Sequence, residues 1–176
     1  MALIGSAVVA LGLAAAFGVV VTAPGAVSLG QDFAGCADPA QHRDAYFGLP
    51  VRNEGDRVQT LGAFGADRVD GVRVAGSWLV REWREGEDRM AVGVFIDPTD
   101  QPLMPWEERV PVEGAELAPG ERASIVLRLE LPPGANTGYA TELVLGHRSL
   151  AGVPTSVSSD AVLGFGEGCV LSEELP

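Results

Sequence analysis

Hydrophobic and polar positions change rhythm once along this chain. From Ala2 to Val21 (ALIGSAVVALGLAAAFGVVV) small and apolar residues run unbroken, without charge and without Asn, Gln or His; the first charged side chain is Asp32. At a rise of ~1.5 Å per residue this run makes a helix of about 30 Å, the thickness of a bilayer's hydrocarbon core. The pattern predicts one transmembrane anchor or signal segment within residues 1–26. Val27 to Gln41 (VSLGQDFAGCADPAQ) mixes Gly, Pro, Asp and small residues without period and reads as a spacer. Residues 42–176 read as one folded domain.

Within that domain the runs have the period of strands. Ala45 to Arg52 is apolar, with a Pro that suits an edge, and Asn53-Glu54-Gly55-Asp56 turns it back. Val58 to Phe64 follows, then a polar bend through Asp67 and Asp70. Val72, Val74, Trp78 and Val80 fall on one face of the next run, with Arg73, Ser77 and Arg81 on the other. Arg84 to Arg89 is a charged hairpin loop, and Met90 to Ile96 (MAVGVFI), apolar on both faces, predicts a central strand. A Pro-rich loop spans Asp97 to Trp106, and a short strand is expected near Val110 to Val112. Ala118-Pro119-Gly120 opens a strand in which Ile125, Leu127, Leu129 and Leu131 face one way and Arg128 and Glu130 the other. Tyr139 to Leu145 and Val157 to Phe165 supply the last strands. No stretch after the leader keeps a helical period. Roughly seven or eight short strands punctuated by turns predict an all-β, antiparallel β-sandwich, with a closed barrel as the alternative.

Charge narrows the choice of partners. The net charge is −12, and all twelve cations are arginine. Acids spread along the chain repel phosphate backbones, which excludes nucleic acid as a natural partner. The leader leaves three fates open. An uncleaved anchor fits the absence of a basic segment ahead of the apolar run. A cleaved signal would use Ala23-Pro24-Gly25 before Ala26. A lipid anchor would use the box Phe33-Ala34-Gly35-Cys36. Few cations flank the leader, the nearest being Arg43, so its orientation is weakly written. Ala2, Ser6, Ala10, Ala14, Gly18 and Thr22 recur every fourth residue; on a helix they form a small-residue ridge suited to packing against a partner helix.

Cys36 and Cys169 lie near the two ends of the domain and lack metal-site spacing. If paired, they tie those ends together and contribute about 4 kcal/mol in the chain-entropy account; such a bond persists outside the cytosol. Candidate chemistry is otherwise sparse. His42 and His147 are the only histidines, no G-x-S-x-G is present, and no catalytic residue or cofactor is expected. Asp97, Thr99 and Asp100, or Asp67 and Asp70, offer oxygens to a cation but lack the dense alternating acids of a calcium loop, so no metal is expected. Trp83 and Trp106 stand in charged or Pro-rich surroundings and are candidate partner contacts, whereas Trp78 is expected in the core.

The segment Val51-Arg52-Asn53-Glu54-Gly55, together with Leu117-Ala118-Pro119-Gly120-Glu121 before Ile125-Val126-Leu127, resembles bacterial extracytoplasmic immunoglobulin-like modules. Those show V-x-N-x-G early and L-x-P-G at the opening of a later strand. The resemblance spans about residues 45–131 and implies an immunoglobulin-like sandwich that binds, spaces or assembles; the antibody inter-sheet disulfide is not implied, because the cysteines here lie at the domain ends. The expectation is a membrane-tethered, single-pass protein with its C-terminal domain outside the cytoplasm, not an enzyme, binding or stabilising an envelope or membrane protein. A glycan- or cation-binding module, and a secreted or lipid-anchored hydrolase, are the alternatives.

Overall fold

The fold was analysed in a computed structural model that describes residues 26–31, 33–81, 93–100, 104–148 and 152–167. Twelve strands are found among the described residues: β1 (Val27–Leu29), β2 (Ala34–Ala37), β3 (Asp44–Asn53), β4 (Gln59–Asp70), β5 (Arg73–Arg81), β6 (Gly93–Phe95), β7 (Val110–Pro111), β8 (Glu116–Leu117), β9 (Arg122–Glu130), β10 (Gly138–Arg148), β11 (Pro154–Ser159) and β12 (Val162–Phe165). One sheet has the order β1-β3-β9-β5-β7, with β6 also on β3. The other has β2-β12-β10-β4-β8, with β11 also on β10. All pairings are antiparallel except β2 with β12, which is parallel.

Taken in chain order, β1, β3, β4, β5, β9, β10 and β12 occupy the places of A to G in a constant-type immunoglobulin sandwich. The first sheet is A-B-E-D and the second G-F-C. The chain also changes sheets at both edges, through β1 to β2 on one side and β7 to β8 on the other. These switches cover edges that would otherwise offer unpaired backbone.

Alternation along the strands places the core. In β3, Ala45, Phe47, Leu49 and Val51 point inward; opposite them on β9 stand Leu129, Leu127, Ile125 and Ala123. The second sheet contributes Leu61, Phe64, Leu143, Leu145, Leu163 and Phe165, all in the same buried cluster. Phe47 and Phe165 meet edge to face across the sandwich at 6.4 Å between ring centres, within the favourable range for such pairs.

Four sequence expectations are corrected here. Val27 to Gln41 is not a spacer: Val27 and Leu29 of β1 and Ala37 of β2 are buried in the core. The polar bend at Asp67 and Asp70 is the exposed end of β4, held straight by pairing of Val69 and Asp70 with Ala140 and Tyr139. Of the expected central strand Met90 to Ile96, residues 90–92 lie outside the described residues, and Gly93–Phe95 pairs only with β3 among the described strands, as a short edge strand. Trp78 and Val80 do not share a face with Val74. The ladder of β5 with β9 slips between Val74 and Gly76, and the extra residue, Ala75, reverses which side chains point inward. Leu79 therefore enters the core, while Trp78 faces outward. Residues 1–25, Trp83 and Cys169 lie outside the described residues, as do the predicted helix and its ridge Ser6, Ala10, Ala14 and Gly18; among the described residues no helix is long and apolar enough to cross a membrane.

The two motif segments of the sequence meet at one end of the sandwich. Asn53 closes β3 and is fully buried. Its Nδ2 donates to the carbonyl oxygens of Arg57, Leu117 and Ala118 at 2.8, 2.9 and 3.0 Å, and its Oδ1 accepts from the Gly55 N–H at 3.0 Å. Its backbone N–H donates to the Glu121 carbonyl, and its own carbonyl accepts from the Gly120 N–H at 2.9 Å. Gly120 sits at φ +73°, a left-handed conformation that glycine adopts without steric cost. The amide thus satisfies backbone groups of two turns that are far apart in sequence.

Asn53→Ala leaves the buried Leu117 carbonyl and the part-buried Arg57 and Ala118 carbonyls without their donor and is expected to cost about 2 kcal/mol; urea unfolding followed by tryptophan fluorescence checks this. Gly76→Val is the second expected loss. A Cβ there comes within 2.6 Å of the Trp78 ring, which itself rests on Trp106, so crowding of ~1–3 kcal/mol is expected in the same assay.

Candidate interaction surface

The outward face of the first sheet carries a second apolar cluster. Val80, Met104, Trp106 and Val126 are buried in it, with Tyr46, Trp78 and Phe95 packed against them and half-exposed. The strands set the positions: Tyr46 on β3 lies beside Arg128 on β9 and Phe95 on β6, and Val126 on β9 lies beside Trp78 on β5. The chain returns from β6 on one edge to β7 on the other, and the turn Trp106–Glu108 on this return path lies over the cluster.

Three aromatic rings interlock. Trp106 meets Tyr46 at 5.5 Å and Trp78 at 5.4 Å between ring centres, both near perpendicular at 81° and 71°. Edge-to-face contact puts the positive rim of one ring on the negative face of another. Arg109 then lies over Trp106, its guanidinium carbon 4.5 Å from the ring centre, while its Nη1 donates to the Trp106 carbonyl at 2.9 Å. Trp106, expected from sequence to be an exposed contact, is only 8 % exposed. Its prolines and acids belong to a loop that folds back on the sheet. The rings presented to solvent in part are Tyr46 and Trp78.

A polar row borders these rings. Arg128 lies over Tyr46 at 5.7 Å and donates from Nε to both Asp44 carboxylate oxygens at 2.9 and 3.0 Å. Its guanidinium also pairs with Glu130, 3.2 Å away, and Arg73 pairs with Glu130 in turn. Asp44 raises the Arg128 pKa further above its ordinary value, so this cation stays charged throughout the working pH range. The Tyr46 and Arg128 contribution was readable from the alternation of β3 and β9.

The other candidates separate. His42 precedes β3 at the end of the sandwich where Asp44 pairs with Glu130, and His147 lies at the far end of β10, roughly 30 Å away at ~3.3 Å per residue along the strand. The two imidazoles cannot act on one substrate. His147 is buried and lines a shallow groove of about 340 Å³ with Thr60, Glu113, Arg148 and Thr155. Asp97 accepts from both the N–H and the hydroxyl of Thr99, at 2.9 and 2.6 Å, and these bonds hold its carboxyl below the ordinary carboxylate range. Among the described residues, no three His, Cys, Asp or Glu gather where a metal could be held. Cys36 lies on β2 opposite Gly164 and is not a free thiol.

No protein-family model matches the chain. No curated protein sequence matches it either. Among solved structures, it is similar to the ASH/PapD-like domain of human CEP192 (PapD-like domain 7), at TM-score 0.41 and 11 % identity over 90 % of this chain and 96 % of that one. It is similar also to a FixG-related protein from Vibrio parahaemolyticus, at 0.33 and 13 % over 82 % and 97 %. The third is the secreted serine protease VesC from Vibrio cholerae, at 0.32 and 14 % over 78 % of this chain and 23 % of that one. At these scores the likenesses carry no activity or partner across; the immunoglobulin-like fold rests on the strand order itself.

Proposed function

We propose that this protein is a membrane-tethered, extracytoplasmic immunoglobulin-like domain that binds or stabilises another envelope or membrane protein. The observation that carries the reading is the patch on the outward face of the first sheet, where half-exposed Tyr46 and Trp78 are flanked by Arg109 and Arg128. Tyr, Trp and Arg are the residues that dominate binding energy at protein interfaces, because they bury large areas at small entropic cost and keep a polar edge. These rings are packed against Trp106 and Val126, so little ordering is needed on association.

The fold also bears on the fate of the leader. Cleavage ahead of Cys36 would strip β1 and half of β2 from the sandwich, including the buried Val27 and Leu29. Retention of the apolar leader keeps both strands, and so does cleavage ahead of Ala26. Cys169 follows Phe165 by four residues, and the Gly166 N–H donates to the carbonyl of Ala37, next to Cys36. The short remaining chain suits a Cys36 to Cys169 bond, formed outside the cytoplasm.

A photo-crosslinking residue placed at exposed Glu107, beside the patch, is expected to capture one specific envelope or membrane protein in cells. Arg109→Glu should lower that capture severalfold while the domain stays folded, which circular dichroism checks. Capture no greater than from the same probe at exposed Glu142, on β10 of the second sheet, would refute the reading.

A further inference from the structure

The sandwich has two ends, and the N-terminus leaves from only one of them. β1 begins, β3 ends, β4 begins, β5 ends, β9 begins and β10 ends at the end that holds Asn53. Ala26 is already fixed there: its carbonyl accepts from the Glu54 N–H at 2.7 Å. Between Val21, the last residue of the apolar run, and Ala26 stand only Thr22, Ala23, Pro24 and Gly25. Fully extended, four residues span at most ~14 Å, while the headgroup layer on one side of a bilayer is about 6 Å deep.

We infer that the Asn53 end of the domain rests directly on the lipid headgroups, with the strands standing away from the membrane; this rests on the membrane tether proposed above. The surface of that end supplies a second observation. Of the four exposed large apolar side chains among the described residues, the two most exposed, Val58 at 54 % and Val153 at 58 %, both lie there. Val58 immediately precedes β4 and Val153 immediately precedes β11, whose first residue pairs with Arg148 at the lower end of β10. Neither valine is required by the core, and both are placed where a short leash brings the domain against the membrane. At this end Glu54, Asp56, Glu113, Glu116 and Glu121 are matched by Arg52, Arg57, Arg81, Arg122 and Arg148, so its charges balance. That mixture suits zwitterionic headgroups. The opposite end, with the turn Leu131–Gly134 and the chain around Asn136, then projects about 30 Å outward, the length of β3 at ~3.3 Å per residue. The aromatic patch faces sideways, where a neighbouring membrane protein can reach it.

The full-length chain in phosphatidylcholine nanodiscs, doped with a lipid carrying chelated gadolinium on its headgroup, tests this. Amide relaxation enhancement at Gly55, Val58 and Val153 is expected to exceed that at Ala40, Asn136 and Thr137 by about tenfold or more, given a domain ~30 Å long. A chain that stays in the nanodisc with equal enhancement at both ends, or with the order reversed, overturns the inference and leaves the tether standing. A chain that washes free of membranes overturns the inference and the tether together.

Discussion

One side-chain amide holds together the end of this domain on which its connections depend. Asn53 sits where β3 gives way to the turn into β4, and its carboxamide reaches across to the turn that opens β9. Those two turns are separated by more than sixty residues and by every strand from β4 to β8. A buried amide with all of its bonds made fixes geometry strongly, because each alternative arrangement leaves a carbonyl or an N–H without a partner in a place water cannot reach. Aspartate offers acceptors only, and a serine hydroxyl has a single proton. Asparagine alone among the short side chains supplies two donors and an acceptor at this reach. This is the physical content of the paired V-x-N-x-G and L-x-P-G segments: one provides the amide, the other the carbonyls and a glycine at positive φ.

With that end fixed, the two faces of the first sheet take different roles. The inward face is filled by Phe47, Leu49, Ile125, Leu127 and Leu129 and closes the sandwich. The outward face keeps an apolar strip, which the protein covers in part with its own Trp106 loop and leaves partly open at Tyr46 and Trp78. The bulge at Ala75 makes this division possible. Without it Trp78 would point into the core, and the outward strip would lose that ring. Arg109 and Arg128 lie on the rings while keeping their charges partly in water, which adds cation–π attraction without full desolvation.

Much of the architecture was legible in the sequence. The period-two runs located β3, β9 and the middle of β10, and turn residues located most of their ends, because a half-buried strand must alternate. What stayed hidden has physical causes. β1 and β2 are too short to show a period, and their burial depends on partners more than a hundred residues distant for β2. A one-residue bulge leaves no mark in composition, so the face of Trp78 was inverted. Val157 to Phe165 read as one run but is β11 and β12, interrupted at Asp160 and Ala161 where the ladder to β10 shifts register. Trp106 read as exposed since its neighbours are prolines and acids; its burial comes from the sheet beneath it, which local sequence does not describe. Asn53 was visible as a turn residue and invisible as a clamp.

The proposed function requires the chain to be held in a membrane by its own N-terminus, with the domain beyond the cytoplasm. The intact mass of the protein extracted from the membrane fraction without reductant tests this most directly. The account predicts the mass of all 176 residues less two hydrogens, from a retained leader and a Cys36 to Cys169 bond. A chain beginning at Ala26, or one beginning at Cys36 with added lipid, would contradict it.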